Sequence, residues 1–362
     1  MDFDLSEDQE ALRDAAGELL DGLASPPAVR KVVDAGGGYD AALWQAMVDQ
    51  GWVGVAVPED AGGLGLGTVE VVVLLEQLGR RAAPAPFAAT VLALEALRAG
   101  GADDLAGALL AGDAIGCVAW SRSADAVLAT KAGGGWSLRG RPDPVLYAPS
   151  ASVAVVAAHD GEGPALFAVE VDESSRPQRE PAMDRTRELG WFTFDGTAAT
   201  RLGGPDAVEA VIDRGAAYAC ADLLGGSSQV LDMTAQYAKD RVQFGRPIGS
   251  FQAVKHRCAD MLVDVEGMRS STYWAAWCIG AGDRDASVSA STAKIWCADA
   301  SKRVMASGLQ VHGGIGFTWE HDLHLYFKRA QLDQLAFGDA AYHRHRLAGL
   351  LRPRVEAGES VV

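Results

Sequence analysis

Two strings in the last third of the chain carry residue types suited to holding a ligand. They are Asp240-Arg-Val-Gln-Phe-Gly-Arg-Pro-Ile-Gly-Ser-Phe-Gln252 and Gln310-Val-His-Gly-Gly-Ile-Gly-Phe317. Arg241 can offer an anionic group such as a diphosphate a charge-assisted, bidentate hydrogen bond. Phe244 can pack on an aromatic ring, and Gly245 lets the backbone turn. Gln310 has an amide that both donates and accepts. Gly313, Gly314 and Gly316 allow a ligand close to the backbone. The bland alternative is a solvated or salt-bridged Arg241 and glycines that merely turn the chain.

Proton chemistry needs a carboxylate or an imidazole in a protected place. Asp222 sits in Ala-Cys-Ala-Asp-Leu-Leu-Gly. Such apolar surroundings raise a carboxyl pKa toward a useful value; pairing with an arginine of a neighbouring helix is the alternative. Asp339 is a second candidate. His321 and His324 are three apart, as on a helix face, but no third ligand has metal spacing, so a solvated turn and no metal are expected. His343 and His345 are two apart and do not share a helix face. Five scattered cysteines without a CxxC pair signal neither zinc nor redox chemistry and suit a reducing cytosol. The stripe Trp274, Trp277, Trp296 is expected in a helical core or subunit interface.

The elements that position these residues follow from pattern. The 362 residues are 49% hydrophobic and 22% charged, which fits two or three globular domains. A net charge of −16 excludes a broad basic face for nucleic acid or anionic lipid. No run approaches the ~20 apolar residues of a membrane span, and the acidic N-terminus is no signal peptide, so a cytoplasmic protein is expected. Residues 1–112 read as helical: Ser6 with Gln9 resembles a capping box, and helices are expected over Asp40–Gln50 and Thr68–Arg80. The Gly-dense stretch 51–67 between them has neither dinucleotide-fold nor P-loop spacing. Residues 113–205 hold short β-like runs, the last being Leu189–Phe194, separated by Gly, Pro, Asp and Ser. Residues 206–362 return to long helical periods, expected as an antiparallel bundle with a frayed tail from Arg352.

This order, mostly α with a middle all-β domain, resembles the acyl-CoA dehydrogenases. The stretch Gly51-Trp…Pro58-Glu…Gly62-Gly-Leu-Gly…Glu76-Gln-Leu-Gly-Arg80 looks like that family's N-terminal helical domain. The two C-terminal strings resemble its flavin-contact loops, at matching spacing, and the resemblance spans nearly the whole chain. It implies that Arg241, Phe244, Gln252, Gln310, Gly313 and Gly314 contact the FAD held by a neighbouring subunit.

The departures from the family pattern are as informative. The resemblance implies a carboxylate that takes the α-proton of an acyl-CoA thioester while a hydride passes to the flavin. In the commonest arrangement it is a Glu before Gly-Thr near the C-terminus. Here the string is Leu335-Ala-Phe-Gly-Asp339, and Phe337 stands at the Glu position. In the other arrangement the Glu begins the first long C-terminal helix, a position occupied here by Gly215. Neither residue can accept a proton. That leaves Asp222, two helical turns past Gly215 on the same face, and Asp339. The family's isoalloxazine cradle is not recognisable around Trp120, Ser121 and Tyr147, and of its pantetheine contacts only Asp213 matches, Ala216 replacing an arginine. Some short actinobacterial members form heterotetramers, two copies of each chain, in which one chain holds cradle and base and the other completes the site. The resemblance therefore implies a base-less complementing subunit of an FAD-dependent acyl-CoA dehydrogenase. Steroid-type CoA thioesters are the expected substrates, and an electron-transfer flavoprotein the expected electron acceptor. A self-sufficient homomer using Asp222 or Asp339, and a flavin-free scaffold, are the alternatives.

Overall fold

The computed structural model describes residues 4–360. Helix α1 (Glu7–Leu23) begins at the expected capping box: Ser6 Oγ accepts from the Gln9 N–H at 3.2 Å, and Gln9 Oε1 accepts from the Ser6 N–H at 3.0 Å. Five more helices follow: α2 (Pro26–Asp34), α3 (Ala41–Asp49), α4 (Thr68–Arg80), α5 (Phe87–Ala99) and α6 (Asp103–Leu110). Helix α5 shows why periodicity missed it. It is buried on most sides, from Phe87 through Val91, Ala93 and Leu94 to Leu97, so it carries no polar stripe to mark a period.

The strands are β1 (Gly116–Ala119), β2 (Val127–Ala132), β3 (Gly135–Gly140), β4 (Val145–Leu146), β5 (Val153–His159), β6 (Pro164–Glu170), β7 (Leu189–Gly190) and β8 (Phe194–Gly203). The antiparallel run β2-β3-β8-β6-β5 returns to β2 through one pair, Leu128 with His159, and β1 lies parallel to β5. Inside it pack Cys117, Leu138, Val156, Phe167 and Phe194. The expected strand Leu189–Phe194 is two strands. Leu189–Gly190 pairs with β4, and β8 begins at Phe194 and runs to Gly203. Its Gly196 and mostly exposed polar residues gave it no apolar alternation.

Helix α7 (Pro205–Asp240) opens the C-terminal helices. The hairpin β9 (Val242–Gln243) and β10 (Arg246–Pro247) follows, then α8 (Gln252–Gly280), α9 (Ala286–His312), α10 (Leu323–Asp333) and α11 (Ala340–Glu356). Helix α11 continues through Pro353, so the tail expected to fray from Arg352 is helical to Glu356.

The chain forms two compact units, each drawn from separated stretches. One joins the chain up to Val29, Thr68–Ala83 and the chain from Ala216 onward; the other holds Arg30–Gly67 and Pro84–Gly215. In the first, Leu224, Met261, Met268, Ile279, Cys297 and Val304 form the helical core. Truncating Leu224, Met261, Met268 or Ile279 to Ala would cost about 2–5 kcal/mol. Helices α4 and α7 touch backbone to backbone: a Cβ at Gly79 would lie 2.3 Å from the Asp222 carbonyl oxygen, and one at Gly225 2.0 Å from that of Glu76. Glu76 ties α4 to α8 by accepting from Arg269 at 2.6 Å and from the Tyr273 hydroxyl at 2.8 Å.

The tryptophan stripe is not core. Trp274 is half-buried, and Trp277 and Trp296 are 43% and 40% exposed. Trp296 lies over Gly267 and donates its indole N–H to the Asp264 carbonyl at 3.2 Å. Among the described residues, no helix is long and apolar enough to cross a membrane.

Candidate functional site

The first string folds as a hairpin at the end of α7, with Gln243 opposite Arg246. Both turn residues have positive φ, Phe244 at 55° and Gly245 at 78°. This is the backbone of a tight hairpin turn, easy for glycine and strained for phenylalanine. The Phe244 ring is 90% exposed and meets the ring of Phe251 edge-on at 6.0 Å. The Arg241 N–H donates to the Tyr237 carbonyl at 2.9 Å, and its own carbonyl accepts from the Ile248 N–H at 2.8 Å. The backbone is thus fixed while the Arg241 side chain stands exposed, in no ion pair among the described residues. Gln252 is the exposed first residue of α8. The preceding 3-10 turn lies against α7 because residue 249 is glycine: a Cβ there would sit 2.9 Å from the Ala238 carbonyl oxygen.

The second string ends α9. Gln310 is exposed, and Gly313 caps the helix at φ 63°, ψ −141°, a conformation that side chains other than hydrogen resist. Gly314 differs. Its φ is not positive, and a Cβ there would meet nothing within 4 Å. Packing within the chain gives no reason for glycine at 314; a group approaching from outside would. Ile315 and Phe317 beside it are 45% and 74% exposed. The strings are brought together where the Tyr237 ring stacks on His312, centroids 4.6 Å apart and planes 21° apart.

Of the six residues expected to contact FAD, all in one unit, Arg241, Phe244, Gln252, Gln310 and Gly314 are exposed and Gly313 is half-buried. Together they offer a guanidinium in no ion pair among the described residues, two outward amides, an open phenyl ring and glycine backbone at 313–314. A ligand with a diphosphate and flat rings, offered from outside the chain, fits them; FAD has both features.

The candidate bases have other duties. The Asp222 carboxylate takes two bonds from Arg329, Nε to Oδ1 at 2.8 Å and Nη2 to Oδ2 at 2.6 Å, and both residues are buried. Arg329 also donates to the Ala83 carbonyl at 3.1 Å. The pairing with an arginine of a neighbouring helix, expected from the sequence, is thus made, by a residue 107 positions on. The cavity beside the pair, lined by Met305, Tyr326 and Asp333, measures about 10 Å³, room for one water. Asp339 caps α11, its Oδ1 accepting from the Tyr342 N–H at 2.8 Å.

Of the two usual base positions, Gly215 is buried within α7, and Asp213 beside it is buried too. Phe337 has a positive φ of 52°. Its carbonyl accepts from His343 Nε2–H at 2.9 Å, while His343 Nδ1 accepts from the Ser291 hydroxyl at 3.3 Å. Burial pushes the His343 pKa down to about 4, keeping it neutral for this pairing. One turn earlier, the buried Lys294 Nζ donates to the carbonyls of Asp333 at 2.6 Å and Gln334 at 3.2 Å, at the end of α10. Burial also lowers the Lys294 pKa. Sequence reasoning passed over Lys294 and weighed His343 only as a pair with His345. The signal for Lys294 was there: it falls on the stripe of Ala290, Cys297 and Ser301, all buried.

The sheet unit offers a flavin little. Trp120 is half-buried. Ser121 Oγ is already taken, accepting from the Asp143 N–H at 2.6 Å. Tyr147 has a positive φ of 59° and is only 2% exposed, so it presents no ring face to stack on. His321 Nδ1 accepts from the Leu323 N–H at 3.1 Å, and His324 stacks on Trp319 at 4.7 Å. Among the described residues, no group of three or more His, Cys, Asp or Glu side chains could hold a metal ion.

Comparison with known proteins gives these features a context. Residues 6–114 match the family model "Acyl-CoA dehydrogenase, N-terminal domain", and residues 203–351 match "Acyl-CoA dehydrogenase, C-terminal domain". The chain is 35% identical to acyl-CoA dehydrogenase IpdE2 of Mycolicibacterium smegmatis over 90% of this chain and 93% of that one. It superposes on a chain of the ChsE4–ChsE5 complex of Mycobacterium tuberculosis with a TM-score of 0.91 and 32% identity, covering 97% of this chain and 99% of that one. Against a chain of the Tcur3481–Tcur3483 steroid ACAD, a G363A variant, the TM-score is 0.90 at 31% identity, covering 97% and 99%.

Proposed function

Because this chain belongs to the acyl-CoA dehydrogenase family, oxidoreductases acting on CH–CH bonds, we propose that it is the complementing, base-less subunit of a two-chain enzyme. One observation carries the reading: the residues expected to contact the cofactor stand outward, while the two positions where the family resemblance places a base hold Phe337 and Gly215, which cannot accept a proton. FAD, when bound, supplies the hydride acceptor for desaturating an acyl-CoA thioester. In this reading Arg241 neutralises its diphosphate, Phe244 packs on a ring, Gln252 and Gln310 bond its polar edges, and Gly313 and Gly314 let it lie against the backbone. The partner subunit, a second chain of the same family, provides cradle and base. Likeness to the Tcur3481–Tcur3483 steroid ACAD supports a steroid-type acyl group, and an electron-transfer flavoprotein as electron acceptor completes the proposal.

The homomer alternative is disfavoured by the duties of Asp222 and Asp339. The visible spectrum of the purified chain, alone and co-expressed with a cradle-bearing family member, is the test. Flavin only in the co-expressed complex supports the proposal; flavin in the lone chain would favour the homomer, and flavin in neither a scaffold. Asp339→Asn sharpens it, since Asn caps a helix as well as Asp. Turnover of the complex should stay within about threefold, far from the ~100-fold or greater loss expected when a general base is removed.

A further inference from the structure

The two cofactor-contact strings are about sixty residues apart in sequence, yet they must present one surface. Each is a turn projecting from a helix end, the type of segment that moves most easily. Something must set one against the other, and the structure has a junction that reaches both.

That junction is His312. Its ring stacks on Tyr237, in the last turn of α7, four residues before Arg241. The Tyr237 carbonyl in turn receives the Arg241 N–H. On the other side His312 is followed directly by Gly313 and Gly314. The His312 ring also meets His321 in an edge-on contact at 4.7 Å, and His321 Nδ1 accepts the Leu323 N–H that opens α10. The 3-10 turn 313–317 folds back onto the same residue: a Cβ at Gly316 would lie 3.0 Å from the His312 Cβ. His312 is itself immobilised, buried, with Nδ1–H donating to the Gly308 carbonyl at 2.8 Å. The ends of α7 and α9, the turn after α9 and the start of α10 thus meet on one imidazole.

We infer that His312 and Tyr237 are positioning residues, which hold the Arg241 hairpin and the Gln310–Gly314 turn in the one mutual arrangement that grips the cofactor. The inference rests on the reading that these strings contact FAD. Neither side chain need touch FAD; each acts through the loop it anchors. A flat ring is needed at both positions, because the link is face to face. Aliphatic residues could fill the volume without fixing the angle between the two turns.

The test is a double-mutant cycle on FAD release from the co-expressed complex, followed by flavin fluorescence after dilution. His312→Ala and Tyr237→Ala should each speed release about tenfold, the upper end for an aromatic pair. The double variant should be no more than about threefold faster than the worse single one, since both remove the same contact. Tyr237→Phe keeps the stack and should release FAD within about twofold of the parent. If an alanine variant does not assemble, His312→Gln retains bulk and a donor without a stacking face, and the same result is expected. Additive effects that merely track a lower Tm of the flavin-free chain would reduce the pair to ordinary packing and overturn the inference. Arg241→Ala serves as the control. If it accelerates release while the His312 and Tyr237 variants do not, the positioning role fails and the reading of the site stands. If Arg241→Ala is also without effect, that reading falls with it.

Discussion

Phe244 and Phe337 share a backbone conformation that phenylalanine avoids, φ 55° and 52°, and everything around them differs. Phe337 is held from within. His343 grips its carbonyl, Lys294 grips the carbonyls of residues 333 and 334, and Asp339 caps the next helix. Phe244 stands at the tip of a two-residue turn with its ring in solvent. Strained residues persist where the surroundings over-determine them. At 337 those surroundings belong to the chain. At 244 they do not: the ring stands 90% exposed, and under the proposed function a partner subunit would cover the hairpin. The contrast separates a region finished by intramolecular bonds from one left open to solvent, and if the proposed assembly completes the latter, substitutions on the two sides should differ in what they damage.

The largest effect is expected on the inward side. Arg329→Ala removes the two bonds that Arg329 gives the buried Asp222 carboxylate, and chemical denaturation of the lone chain should show a loss of about 3–5 kcal/mol. Arg241→Ala should do the reverse. Denaturation of the lone chain should be unchanged, while FAD affinity of the complex falls by about 2–5 kcal/mol, the cost of truncating one partner of a buried charge pair. A lone-chain Tm that falls along with FAD affinity would erase the distinction.

His343 gives the inward region a pH signature. Its folded pKa, about 4, lies below the ~6.5 of an unfolded histidine. The unfolded chain therefore binds this proton first, so stability is full above about pH 6.5, declines as pH falls toward 4 and levels off below. The span is of order 3 kcal/mol at 1.36 kcal/mol per unit. Denaturation of the parent minus that of His343→Gln should show that slope, and equal slopes would contradict it. The smallest effect is at the hairpin. Phe244→Gly relieves the positive φ and should leave the lone chain unchanged or up to ~1 kcal/mol more stable, while weakening its complex in a pull-down titration. A destabilised lone chain would mean that the ring is packed in solution.

How much of this was legible in the sequence depended on the range of the signal. The Ser6 capping box, the 36-residue α7 and the two glycine-bearing strings announce themselves within a few residues. Phe337 and Gly215 stood out only against the family resemblance, because neither carries an acid where it places one. For Asp222 the pairing with a bundle arginine was legible but not which arginine, since Asp222 and Arg329 meet only when α7 and α10 pack. Strand β8 hid because a mostly exposed strand has little apolar alternation to show. For the tryptophans, expected in a core or a subunit interface, the structure removes the first choice, since two of the three face out.

The interleaving of the two units has a consequence for how the protein is made. Helices α1 and α4 leave the ribosome early, yet the surface that receives them is built from α7 onward. Gly79 and Glu76 have nothing to lie against until the stretch around Asp222 and Gly225 exists. At roughly 5–20 residues per second of synthesis, the segment from Pro84 to Gly215 imposes a wait on the order of 10 s. During it the buried face of α4, with Val71, Val72, Leu74, Leu75 and Leu78, has no native neighbour from α7 or α8. The sheet unit needs only residues 30–67 and 84–215 and can close in the meantime. The nascent chain thus passes through a state with one finished half and a waiting apolar helix, a form prone to aggregate and a natural client for chaperones.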